Sequence, residues 1–184
     1  MIKRSRFVFL LFVASVSLLH AATLQKRDHL TEKEVDLVKE AQVLDKRIDV
    51  FIKAAERRLM VINNTSAANA KQLKKDAERW GELPTGTRAE LVSDIARILD
   101  EAITNIDDVS SRDERNPLIP KALRKLNQAV NTMMAQLKPL ATQAKDDAEI
   151  ASFEQLNEGA QSVVEATNKL PPEVEKKAKK NEKN

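Results

Sequence analysis

Carboxylates are the side chains of this chain whose spacing comes closest to chemistry. Asp100, Glu101, Asp107 and Asp108 fall close together, and Glu101 and Asp108, seven apart, share one face of a helix. Such a set could hold a hard cation or serve as an acid–base pair. Its ordinary reading is a solvated helix face, because Arg97 interleaves with it and Arg112 and Arg115 follow. Other chemistries are poorly supplied. The chain has no Cys, which removes thiol nucleophiles, disulfides and a lipid-modified cysteine. His20 lies within the N-terminal segment 1–22, which leaves His29 as the one histidine for the rest of the chain. A transition-metal site needs several His or Cys ligands, and a haem ligated by Met133 or Met134 would need a helical histidine partner. No Gly-rich phosphate loop occurs. No cofactor and no metal are therefore expected, and the chain reads as a non-enzyme.

Two further residue sets could bind without catalysing. Trp80 stands beside Gly81-Glu82-Leu83-Pro84, where it could anchor a partner or plug one end of a core. Met133-Met134 could line an adaptable groove, although the heptad phase puts Met133 in the core. Val35, Val38, Val50 and Ile52 widen the apolar face of the first helical stretch beyond a two-in-seven seam, and are the candidate partner-binding residues together with Trp80.

The elements that position these residues are helical. In the stretch from Thr31 to Ile62, Leu37, Ala41, Leu44, Ile48, Phe51, Ala55, Leu59 and Ile62 recur in steps of three and four, without Gly or Pro. The pattern predicts one continuous helix, opened by the capping box Thr31/Glu34. A shorter helix is expected from Ala67 to Trp80, ended by Gly81. Thr87 and Glu90 open the next, to about Asp108, on Leu91, Ile95, Ile98, Ala102 and Ile106. The strictest heptad runs from Ile119 to Ala144 with Pro139 inside it, where a kink is expected. Asp146 and Glu149 open the last helix, which Pro171-Pro172 ends.

Residues 1–22 stand apart. Lys3, Arg4 and Arg6 precede an apolar run from Phe7 to Leu19, too short for a comfortable membrane span of about 20 residues. This reads as a secretory signal, or as a membrane anchor where it stays uncleaved. Three of the 31 Lys and Arg lie there, and none of the 28 Asp and Glu. The rest of the chain is charge-balanced, which argues against nucleic acid as a partner. Lys26-Arg27 reads as solvated charge. The tail from Glu173 holds five Lys, three Glu and two Asn and is expected to be disordered.

Residues 1–22 thus form a signal or anchor, 23–172 a helical bundle, and 173–184 a Lys/Glu-rich tail. The fold class is all-α, an antiparallel bundle of four main helices plus one short helix. The signal, the long capped helix, Trp80-Gly81-Glu82-Leu83-Pro84 and Asn105-Ile106-Asp107-Asp108-Val109 together resemble exported all-helical bacterial proteins, a resemblance that assigns no site residue. The expected function is protein–protein interaction in the periplasm or envelope, with a protein partner or a second copy. Membrane contact is expected only through an uncleaved N-terminus. A peripheral lipid-binding protein and a carboxylate-based cation binder or enzyme are the alternatives.

Overall fold

A computed structural model describes residues 27–171, so the expectations for the signal and the tail lie outside the described residues. Among the described residues the chain forms six helices and no strand: α1 (Glu32–Glu40), α2 (Leu44–Ile62), α3 (Ala70–Trp80), α4 (Arg88–Arg112), α5 (Leu118–Ala141) and α6 (Asp147–Asn168). Both expected capping boxes are formed, Thr31 with Glu34 and Thr87 with Glu90. Asp146 caps α6 by accepting from the Glu149 amide, while the Glu149 side chain turns away to Arg88. Gly81 ends α3 at φ +66°, in the left-handed region, where a side chain would be strained and would crowd Lys33. Pro139 lies in the last turn of α5.

The single helix expected from Thr31 to Ile62 is two. The chain breaks at Ala41–Val43, with Val43 extended at φ −91° and ψ 130°. Arg47 Nε donates to the Ala41 carbonyl at 2.9 Å, capping part of the broken end. A long-range ion pair explains the break. In one straight helix Glu34 and Arg58, 24 residues apart, would be separated by about 36 Å. Arg58 Nη2 in fact lies 2.8 Å from Glu34 Oε2. The periodicity continues through the break because Leu44, Ile48, Phe51, Ala55 and Leu59 keep their own seam in α2, while Leu37 is buried separately in α1.

The core gathers residues from α2, α4, α5 and α6, including Ile48 and Phe51, Ile95 and Ile98, Leu126 and Val130, and Leu156 and Val163. Around it α2 packs on α4 and α5, and α6 on the same two helices, while α4 and α5 touch lightly across the diagonal. Side-chain pairs give the directions. Asp45 meets Lys121, Asp49 meets Lys125 and Asn63 meets Gln136, so α2 and α5 run the same way. Arg47 meets Asn105 and Arg58 meets Asp94, so α2 and α4 run oppositely. The short α3 packs on α1 and buries none of its own residues fully, so its Ala70 and Ala77 stay exposed instead of forming an inward face.

Two of the pairs that tie the helices together titrate. The hydrogen bond from Lys121 to Asp45, at 2.6 Å, holds the Asp45 carboxyl below its ordinary range against the cost of burial. The Arg88 hydrogen bond does the same for Glu149. A carboxylate whose folded pKa is lowered adds stability above its unfolded pKa, and that stability is lost as pH falls through the folded value. Resistance to urea should therefore fall as pH drops below about 4, and Lys121→Met should flatten the decline. Unchanged unfolding midpoints for the native chain at pH 7, 4 and 3 would show that these pairs contribute nothing.

Candidate functional site

The densest chemistry in the molecule lies in four charged side chains that are almost fully buried: Glu34 is 0% exposed, Arg57 and Arg58 1% each, and Asp94 2%. They come from three elements. The Thr31 capping box sets Glu34 in the first turn of α1, and Glu34 Oε2 accepts from the Thr31 amide at 2.9 Å. Arg58 follows Phe51 by seven, Ala54 by four and Ala55 by three, which turns it inward with the apolar seam of α2. Asp94 stands between Leu91 and Ile98 on the buried face of α4.

Arg58 grips Glu34 with both terminal nitrogens, at 3.0 Å and 2.8 Å. Such a fork is the strongest ordinary ion-pair geometry. Arg57 Nε donates to the same carboxylate at 3.2 Å. Its Nη2 turns outward to the carbonyls of Trp80, Gly81 and Glu82. The guanidinium also sits 5.7 Å from the centre of the Trp80 ring. One arginine therefore fastens the end of α3 and the following loop to α2. Arg58 reaches the Ala54 carbonyl at 2.8 Å and the His29 carbonyl, and its Nε lies 3.7 Å from Asp94 without a hydrogen bond. Asp94 takes its own hydrogen bond from Arg27, at 2.8 Å.

Burial raises the Asp94 carboxyl above its ordinary pKa, against Arg27, Arg58 and Arg97, which lower it. Its contribution to stability thus has the opposite sign to that of Asp45, and acid relieves its cost. Burial likewise pulls the Arg57 guanidinium below its ordinary value, while Glu34 holds it up. The two carboxylates and two guanidiniums balance in charge. Their hydrogen bonds run to one another, to backbone carbonyls and to the residues just before α1. Chemically the arrangement is a clamp.

The carboxylates singled out by spacing are placed differently. Asp100, Asp107 and Asp108 are exposed, whereas Glu101 pairs with His29 at 2.7 Å. Among the described residues no three His, Cys, Asp or Glu side chains come together in a way that could hold a metal ion. His29 is half-buried in a lead-in that is fastened down, and Arg27, read as solvated charge, is tied to Asp94 and Glu90.

The candidate partner-binding residues divide. Val35, Val38, Ile52 and Trp80 are partly buried against the core. Val50 is 6% exposed and lines, with Leu37 and Trp80, a cleft of about 440 Å³ where α1, α2 and α3 meet. The break at Ala41–Val43 is the reason: it folds α1 back toward this side of α2 and over Val50. Ile52 opens on a different place, a groove of about 340 Å³ between α2 and α5, with Leu59, Ala129 and Met133. Met133 is buried and Met134 flanks it, as the heptad phase requires.

Glu34, Arg57, Arg58 and Asp94 were not predicted as a site. The usable signal is a charge in phase with an apolar stripe, which Arg58 and Asp94 both show. Comparison with protein-family models, with curated proteins and with solved structures finds no match.

Proposed function

We propose that this chain is an exported, non-catalytic helical-bundle protein that acts in the cell envelope by binding another protein or a second copy of itself. Its scaffold is an up-down-up-down arrangement of α2, α4, α5 and α6. Export rests on the basic residues and apolar run of residues 1–22. The observation that carries the binding reading is the α2/α5 groove. Its floor is apolar, from Ile52, Leu59, Ala129 and Met133, and its rim is polar, from Asp49, Glu56, Lys125 and Gln136. An apolar floor inside a polar rim is the anatomy of a protein-binding patch. Among the described residues no helix is long and apolar enough to cross a membrane.

Sedimentation velocity over a range of concentrations, together with co-purification from the envelope fraction, tests the reading. Ile52→Glu places a charge on the groove floor and Val38→Glu one at a half-buried position of α1. Ile52→Glu is expected to weaken self-association or partner capture tenfold or more, about 1.4 kcal/mol, and Val38→Glu by less. Asp107→Asn and Asp108→Asn should leave association unchanged. If those two abolished a measurable activity while Ile52→Glu and Val38→Glu were silent, the cation or acid–base reading would replace this one.

A further inference from the structure

Residues 27–30 belong to no helix, yet they are seated on α4 like a bound peptide. Arg27 Nη2 donates to Asp94 at 2.8 Å, and its other terminal nitrogen reaches Glu90 at 3.5 Å. His29 Nε2 lies 2.7 Å from Glu101. The backbone is held too: Arg97 donates to the Arg27 carbonyl at 2.7 Å, and Arg58 donates to the carbonyl of His29. Leu30, 7% exposed, enters the core cluster. On α4 the receiving residues Glu90, Asp94, Arg97 and Glu101 recur at steps of four, three and four, so they form a single stripe.

Two observations mark this seat as a site with an occupant that can leave. First, the fit is incomplete. Arg58 Nε and His29 Nδ1 are buried without a hydrogen-bond partner. An unpaired buried group of this kind costs free energy that a better-fitting occupant would recover. Secondly, the segment is fastened mainly by polar contacts. Leu30 is its one apolar anchor, the Arg27 and His29 side chains remain 35% and 22% exposed, and an open cleft of about 680 Å³ separates it from Trp80, Leu83 and Pro84. Segments with few buried apolar contacts open at lower free energy than the core.

We infer that residues 27–30 are a displaceable strap, and that the Glu90–Glu101 stripe beneath them is a docking groove for an extended cationic segment of a partner protein, with Arg or Lys three residues before an aliphatic side chain. The chain's own Arg27 and Leu30 supply that chemistry when no partner is present. The inference rests on the interaction reading and gives it a second surface, separate from the α2/α5 groove. Displacement would leave the Arg58–Glu34 fork in place, since α1 and α2 hold it without the strap.

A fluorescently labelled synthetic peptide of residues 23–31, titrated into the full exported chain, tests it. Arg27→Ala with Leu30→Ala in the chain weakens the strap and leaves the groove intact. Because apparent affinity scales with the fraction of open groove, the peptide should bind this variant at least tenfold tighter than the native chain. Adding Glu101→Gln should weaken that binding, and a peptide with its Arg and Leu replaced by Ala should not bind. Equal binding to both chains, or none to a variant that keeps its helical circular dichroism, would overturn the inference. Should the variant lose its fold, amide exchange on the native chain decides: residues 27–31 must exchange at least a hundredfold faster than α2 and α4, and exchange together with the core overturns it. The peptide does not report on Ile52, so its failure beside an intact Ile52→Glu effect would remove the strap and spare the interaction reading.

Discussion

Glu34→Ala is expected to cost about 3–5 kcal/mol of unfolding free energy, the range for removing one partner of a buried ion pair. Arg57 and Arg58 would remain, each 1% exposed, with Asp94 3.7 Å from Arg58 Nε and no ion pair left to Arg57 among the described residues. The same substitution removes half of the α1 capping box. A cap is worth about 1 kcal/mol, so charge isolation and not capping decides the size of the effect. Glu34→Gln separates the two, because the amide oxygen can still accept from Thr31 while the charge is gone. Urea unfolding followed by circular dichroism measures both. A loss below about 1 kcal/mol for Glu34→Ala would mean that the two arginines find water when the carboxylate goes. The prediction concerns breaking the network; an apolar replacement of all four residues could be equally stable.

The second large effect lies in the core. Leu126 of α5 and Phe51 of α2 are both 0% exposed and belong to one cluster. Leu126→Ala should cost about 2–5 kcal/mol and Phe51→Ala about 3–5 kcal/mol, from lost transfer free energy plus the cavity left behind. An unchanged dependence on urea would show that the loss is in the folded state. A cost well under 1 kcal/mol at Leu126 would mean that the α5 seam faces water.

The all-helical class was legible because apolar residues at steps of three and four leave few alternatives, and Thr31/Glu34 and Thr87/Glu90 mark two helix starts to the residue. The break at Ala41–Val43 was not legible. No Gly or Pro announces it, and its cause, the reach of Glu34 back to Arg58, lies 24 residues away. The same distance problem hid the clamp. Glu34 reads locally as a capping residue, Arg57-Arg58 as surface charge, and Asp94 as one more polar residue on α4. Each reading is sound within one turn of helix, and only the tertiary fold brings the partners together. Val50 and Ile52, two apart, lie on opposite sides of α2, so α1 lies over the first while the second opens on the α5 groove.

The diagonal position of α4 and α5 sets the order in which the molecule can be built. Among the four core helices, α5 and α6, joined through Thr142–Asp146, form the most extensive pairing between consecutive elements; α4 and α5 touch only lightly. The closure between α2 and α5 spans two intervening helices and that between α4 and α6 spans one, so their loop entropy must be met before their contacts form. High mean sequence separation slows folding relative to helical hairpins stacked in series. The α5–α6 hairpin is thus the largest local pairing within the four-helix core.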